Sequence, residues 1–267
     1  MTRVLYTADF AQIEARVLAW LAGQADLLKL FADDGPIYEA MAEKIYRKPI
    51  NKKEHPKERQ LGKTAILGCG YGMGADKFQA TCKKQGILID AELAKRTVDT
   101  YRQANDRIKS LWYKTEEAAI AAVEEPGKVF TCAGGRIKYK VAGSFLWCQL
   151  PSGRCLCYPY PKVIEVTKPW GDVGPELRSK GVNSYTRKWE EMSTYGGKLV
   201  ENYTQAVARD LMAEAMLRVE KAGYPVVLTV HDELVTEREL AGGDVKAFEA
   251  LMAEVPPWAA GCPIKAE

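Results

Sequence analysis

"VVLTVHDELV", residues 226–235, begins as an apolar, β-branched run, is interrupted by His231, Asp232 and Glu233, and resumes with Leu234 and Val235. The pattern predicts a buried strand. An unpaired carboxylate in a core is expensive, so two side by side require compensation. A second apolar run, "RVLYTADF" (3–10), also reads as a strand and also delivers an acid, Asp9, just before a turn into a helix. Two strand ends that bring carboxylates to one edge of a sheet need a cation between them. A pair of divalent metals about 4 Å apart supplies that charge and is also a device for in-line phosphoryl transfer. On these two strands alone the other reading stays open, that Asp9 and Asp232 are separate helix caps or surface turns.

The rest of the chain sets the frame. Its 267 residues can bury a sizeable core as one large domain or two intimate ones. With 47% hydrophobic and 27% charged residues the balance is that of a globular protein and excludes a disordered one. A net charge of +3 hides the dense basic stretch "KIYRKPINKKEHPKER" (44–59), which reads as an anion-facing region or as a solvated charged face. No run of about 18 apolar residues exists and the N-terminus lacks signal-peptide design, so a soluble cytoplasmic chain with no membrane partner is expected. The seven cysteines are odd in number and irregularly spaced, which fits a reducing compartment. Cys155 and Cys157 lack the second pair that a zinc site needs.

A walk along the chain predicts an α+β order. Helical spacing runs from Ile13 to Phe31 and is broken by "DDGP" (33–36). A short helix over about 37–46, the basic segment, a helix over about 57–68 and the glycine-punctuated "GCGYGMG" follow, and then a long charged helical stretch over about 90–124. Residues 128–166 alternate and turn at Gly-Gly and Pro-Ser-Gly, so they read as β-hairpins. Residues 167–190 read as irregular, and a helix over about 197–222 leads into the opening strand.

In "ERQLGKTAILGCGYGMG" (58–74), Arg59, Lys63, Leu67 and Tyr71 recur every four residues. On a helix they form one drifting stripe, in the order cation, cation, apolar, aromatic. Such a stripe matches a nucleoside triphosphate laid lengthwise, with guanidinium and ammonium on the phosphates, an apolar contact on the sugar and a ring against the base. "GKT" (62–64) is not the end of a P-loop, because Lys57 stands where that motif needs glycine.

These elements, in this order, resemble motifs A, B and C of family A DNA polymerases. The matching runs are "DFAQIEARVLAWL" (9–21), "RQLGKTAILGCGYGMG" (59–74) and "VHDELV" (230–235), and "GGKLVENYTQAVARDLMAEAM" (196–216) is similar to the helix preceding motif C. The resemblance is greatest to phage members. It implies a right-hand palm, an antiparallel sheet with helices, plus helical fingers. The palm would comprise residues 1–34 and 126–267 and the fingers residues 35–125. It also implies that Asp9 and Asp232 hold two Mg²⁺ ions with the carbonyl of Phe10, supported by Glu233. Arg59 and Lys63 would bind the phosphates of the incoming dNTP, with Lys63 a candidate proton donor to pyrophosphate. Leu67 would face the sugar and Tyr71 the template-base side.

Glu14 would lie under the 2′ carbon and exclude ribose; without the resemblance it reads as an exposed helix carboxylate. His231 at the primer terminus, Gln205 in the minor groove and Arg16 are the expected contacts to primer-template DNA. Glu201 or Asn202 would match a further template contact.

Leu67 departs from the family's usual aromatic residue against the sugar, and Ala11 from a common serine. Motif A begins at residue 9, so the expectation is a chain without thumb or exonuclease, which a separate chain would supply. "AGCPIKAE" stops where a final strand is expected. A single-subunit RNA polymerase core and a non-catalytic nucleic-acid-binding remnant are the competing readings. Glu14 and Tyr71-Gly72 count against the first, and the intact Asp9, Asp232, Arg59 and Lys63 against the second.

Overall fold

Strand β1 (Arg3–Asp9) pairs antiparallel with β10 (Glu233–Glu239), which pairs antiparallel with β9 (Val226–Val230), so the two ends of the sequence meet in one three-stranded sheet of order β1-β10-β9. The computed structural model describes residues 3–167, 171–239 and 242–267. Among the described residues two further antiparallel sheets, of four and three strands, complete the strands. Helices and antiparallel sheets alternate in blocks along the chain, which is the α+β class expected.

The opening stretch is not a buried strand. Val227, Leu228 and Val230 are about half exposed, because β9 is the outer strand of its sheet. Its apolar character reflects β-propensity rather than burial. The burial in this hairpin belongs to Leu234 and Thr236 on β10, the central strand.

The core is organised by α8 (Gly196–Lys221), whose Leu199, Val200, Tyr203, Val207, Leu211, Met212, Ala215 and Val219 are buried. It packs against α1 (Ile13–Ala22), α7 (Asp106–Glu124) and α9 (Val245–Ala253). The Tyr203 hydroxyl is hydrogen-bonded to Thr115 of α7 at 3.0 Å, which places a buried polar group without an unmet partner.

The helical run predicted over 13–31 is two helices. Gly23 adopts φ 65, its N–H bonds back to Trp20 O at 3.2 Å, and α2 (Ala25–Ala32) starts afresh. The periodicity survives the break because both helices bury one face against the same core. The stretch over 90–124 likewise divides into α6 (Ala91–Ala104) and α7 at Asn105, whose side chain donates to Tyr101 O at 3.0 Å. Helix α5 (Ala75–Lys84), which the sequence reading passed over, buries only Phe78 and Cys82.

Helices α3 (Ile37–Tyr46) and α4 (Pro56–Gly68) fall where predicted. They approach so closely that a Cβ on Gly62 would lie 2.2 Å from Tyr38 O. The hairpins predicted over 128–166 form β2 (Phe130–Cys132), β3 (Ile137–Ala142), β4 (Phe145–Gln149) and β5 (Cys155–Pro159), with β6 (Lys162–Thr167) leaving for the third sheet. The segment predicted to be irregular, 167–190, holds β7 (Val173–Val182) and the start of β8 (Trp189–Thr194); residues 168–170 within it lie outside the described residues. Gly174, Pro175 and Gly181 break the strand pattern of β7, and β8 carries two acids, so neither shows an apolar alternation.

Candidate active site

The β9–β10 connection is a two-residue turn, because Val230 pairs with Glu233 across it. His231 occupies its first position at φ 54, where hairpin turns favour glycine or asparagine. Holding a non-glycine residue there costs about 1–2 kcal/mol. The His231 Nδ1 lies 3.0 Å from Asp232 Oδ1. This geometry answers the puzzle of the two acids. Asp232 sits on a solvent-reached turn with its side chain 33% exposed, and Glu233 is only half-buried, so neither carboxylate is sealed in the core.

Asp9 ends β1 directly opposite Glu233. The next residue, Phe10, donates its N–H to Asp232 O at 3.1 Å. The two aspartates thus reach the same end of the sheet through backbone pairing alone. The segment carrying Lys265–Glu267 joins them: Asp9 and Glu267 exchange two backbone hydrogen bonds of 3.0 Å, Ala11 N donates to Lys265 O at 3.0 Å, and Phe10 faces Ala266 in a bridge. Where the sequence reading expected a final strand to be missing, these residues pair with the end of β1.

From there Gln12, at φ 47, turns the chain into α1 and puts Glu14 in its first turn. Arg16, expected among the DNA contacts, is corrected by the structure. It is 2% exposed and gives its guanidinium to the carbonyls of Ala11, Phe31 and Pro263 at 2.7, 3.1 and 3.1 Å. Burial lowers its pKa. Arg16 ties α1 to the C-terminal segment and is shut off from any ligand.

Helix α4 forms the opposite wall. Lys63 and Leu67 project from it into a cleft of ≈ 410 Å³, which is also lined by Asp9, Phe10, Glu14, His231, Asp232 and Tyr71. Leu67 is 44% exposed, an apolar surface offered to the cleft. Tyr71 leaves the predicted stripe. The α-helix ends at Gly68 and Tyr71 lies on a 3₁₀ turn, Cys69–Tyr71. Its hydroxyl donates to Glu14 Oε2 at 3.4 Å, spanning the cleft. Burial, and then the Glu14 carboxylate, push the Tyr71 phenol well above its ordinary range, so it stays a neutral donor.

Arg59 is held back from this cleft. Its Nε lies 2.6 Å from Glu39 Oε1, and its guanidinium stacks over the Tyr38 ring at 5.2 Å. Lys63 Nζ lies 5.7 Å from the same ring. Arg59 borders an adjoining cleft of ≈ 240 Å³ together with Lys52 and Lys265. Gln205 and Arg209 border a third, of ≈ 280 Å³, which shares Phe10, Glu14, His231 and Asp232 with the central one. The three form one trough with cations at one end and an amide and a guanidinium at the other. Asn202 is held by Tyr158 at 3.2 Å and Glu201 by Lys198 at 3.0 Å, and neither lines the trough.

Tyr38, Glu39, Arg209 and Glu267 escaped the sequence reading, and Lys52 entered it only as part of the basic stretch 44–59. Tyr38 alone had a signal. Glycine inside a helical run, here Gly62, marks a close approach, and Tyr38 is what approaches.

The donors suit a hard divalent cation. Asp9 and Asp232 offer carboxylates, and the carbonyl of Phe10 takes no hydrogen-bond donor among the described residues. No group of three or more acidic, histidine or cysteine side chains gathers as a metal cage among them. Mg²⁺ commonly binds in this manner, through one or two carboxylates with substrate phosphates and water completing the shell.

The profile of DNA polymerase family A matches residues 1–257. The chain is 40% identical over 266 residues to a DNA polymerase of Bacillus phage SP02, covering 98% of this chain and 40% of that protein. It is 27% identical over 262 residues to the thermostable DNA polymerase I of Thermus aquaticus, covering 96% of this chain and 25% of that one. In structure it resembles the polymerase domain of Pol1 from M. smegmatis, solved in complex with DNA primer-template and dNTP, at a TM-score of 0.62 and 20% identity over 98% of this chain and 38% of that chain. The chain therefore spans well under half the length of these relatives. No helix among the described residues is long and apolar enough to cross a membrane.

Proposed function

The chain belongs to DNA polymerase family A, and from that premise we propose that it carries the template-directed DNA synthesis site, transferring deoxynucleotides from dNTPs to a primer 3′-hydroxyl. The single observation behind this reading is the trough, which gathers Asp9, Asp232, Glu14, Lys63, Tyr71 and His231 from distant parts of the chain. In this reading residues 1–34 and 126–267 are palm and residues 35–125 fingers.

Asp9, Asp232 and the Phe10 carbonyl would hold two Mg²⁺ ions, which when bound acidify the attacking hydroxyl and neutralise the leaving pyrophosphate. Glu233, opposite Asp9, adds negative charge beside them. Lys63 would meet the phosphates as a point charge and serve as the proton donor to pyrophosphate. Arg59 joins it by exchanging Glu39 for phosphate. Leu67 covers one face of the sugar while Glu14, held by Tyr71, fills the space under its 2′ carbon and excludes a hydroxyl. At the other end Gln205 meets the minor groove of the new pair and His231 the primer terminus.

Primer extension with Mg²⁺ and dNTPs tests the reading, using the chain alone and then with a polypeptide carrying a thumb and exonuclease. The chain alone is expected to bind primer-template weakly and add a few nucleotides per encounter, and the added polypeptide is expected to lengthen the products. No insertion under either condition refutes it.

A further inference from the structure

Gly72, next to Tyr71, borders a separate cleft of ≈ 630 Å³ whose lining includes Trp112 and Tyr113 of α7 and Tyr195 just before α8, along with Arg102, Glu117 and Glu116, the last accepting from Gly196 N–H at 3.2 Å. Tyr195 is tied to the active-site wall, its hydroxyl donating to Tyr71 O at 3.5 Å. Pro175 closes the cleft from β7. From Pro175 the strand runs on to Val182, about 23 Å at the usual strand rise, and into the hairpin that joins β7 to β8.

That hairpin, "KGVNSYTRKW" (180–189), carries three cations and no acid. Tyr185 at its tip is 94% exposed, and Trp189 and Val182, paired across it, are 56% and 61% exposed. Such aromatic exposure is not accidental looseness. The Asn183 side-chain oxygen accepts from the N–H groups of Tyr185 and Thr186 at 2.8 and 3.2 Å, and its amide is bonded to Glu190. The neighbouring acids are occupied, Glu190 by Asn183 and Thr186, and Glu191 by Lys162 and Arg178. Lys180 stands 5.4 Å from the Tyr160 ring, and neither it nor Arg187 nor Lys188 has an acidic partner among the described residues.

We propose that the hairpin, together with the aromatic cleft leading to it, is a track for single-stranded DNA, the template not yet copied. The inference rests on the polymerase reading for its substrate, but its physical argument is local. Exposed rings interleaved with unpaired cations match a strand whose bases are free to stack and whose phosphates are spaced along it. A duplex buries its base faces in its own stack and would use only the cations. The cleft lies beside the trough, with Gly72 on its lining and the neighbouring Tyr71 on the lining of the trough.

Three proteins test this: the wild-type chain, Tyr185→Ala/Trp189→Ala and Arg187→Gln/Lys188→Gln. Residues this exposed carry little packing, so the fold is expected to stand. Anisotropy of a labelled oligothymidylate should show affinity falling about tenfold or more in the aromatic variant, with a blunt duplex unaffected. The cation variant should flatten the salt dependence by about two phosphate contacts. In primer extension, insertion opposite a template that ends at the copied base should be equal in all three, whereas the gain from a long 5′ overhang should vanish in both variants. Equal oligothymidylate affinity and equal overhang gain in all three overturn the proposal, as does a loss of duplex affinity in the aromatic variant that matches its single-strand loss. A wild-type chain that inserts nothing, alone or with the thumb-bearing polypeptide, refutes the polymerase reading, and the anisotropy series still decides the hairpin independently.

Discussion

Arg59 cannot serve a triphosphate while Glu39 holds it, and the cost of that exchange can be worked out. The pair is 2.6 Å apart, with side-chain exposures of 24% for Arg59 and 11% for Glu39, so salt and solvent screen it less than a surface pair. A hydrogen bond with a charged group is worth about 1.5–3 kcal/mol, and the exposure of Arg59 argues for the lower end. Glu39→Gln keeps the acceptor oxygen and the shape but reduces the bond to that of a neutral acceptor, about 1 kcal/mol or less. The difference, about 1 kcal/mol, should appear twice. Stability should fall by that amount, lowering the melting temperature by about 2–4 °C for a chain of this size. Nucleotide binding should tighten about fivefold, because Arg59 is released at less cost.

Single-turnover insertion of one correct dNTP at varied concentration gives its Kd apart from the chemical rate, which a steady-state KM does not. Arg59→Lys, measured alongside, should weaken dNTP binding through loss of the planar fork. If Glu39→Gln lowers stability as expected but leaves the dNTP Kd unchanged or weaker, Arg59 does not trade Glu39 for phosphate.

Asp9→Asn or Asp232→Asn should abolish nucleotidyl transfer with little change in thermal melting, since both acids lie where water reaches them; turnover retained in either variant removes the two-metal assignment. Glu14→Ala should raise the ratio of ribonucleotide to deoxynucleotide insertion and free the Tyr71 hydroxyl, and an unchanged ratio means that Glu14 is not the gate. Gly62→Ala should destabilise by about 1–3 kcal/mol in chemical denaturation, because its Cβ would lie 2.2 Å from Tyr38 O and force α3 from α4. In a native thiol titration near neutral pH only the exposed Cys155 and Cys157 should react rapidly. Burial pushes the Cys69, Cys148 and Cys262 thiols up to about 12 and those of Cys82 and Cys132 to about 11, so five of the seven should wait for unfolding.

Local chemistry was legible in the order of residues. Asp9, Lys63, Leu67, Asp232 and Glu233 could be singled out because each sits at a strand end or on a helical period that the neighbouring apolar residues announce, whereas Glu14 stood out only through the resemblance to family A polymerases. The same periodicity located α3, α4 and α8 to within a residue or two. It could not see the breaks at Gly23 and Asn105, since helices on either side bury the same face, nor β7 and β8, whose alternation is charged rather than apolar.

Only the tertiary structure decided which of these side chains face the trough. Arg16 follows Glu14 by two residues, yet the turn of the helix sends one to the trough wall and the other into three buried carbonyls. Arg59 shares the face of Lys63 but is claimed by Glu39 from a helix packed alongside. The pairing of β1 with β10 and with residues 265–267 likewise depends on hydrogen bonds between segments more than 200 residues apart. Local spacing sets which residues can share a face; the docking of one element on another sets what that face meets.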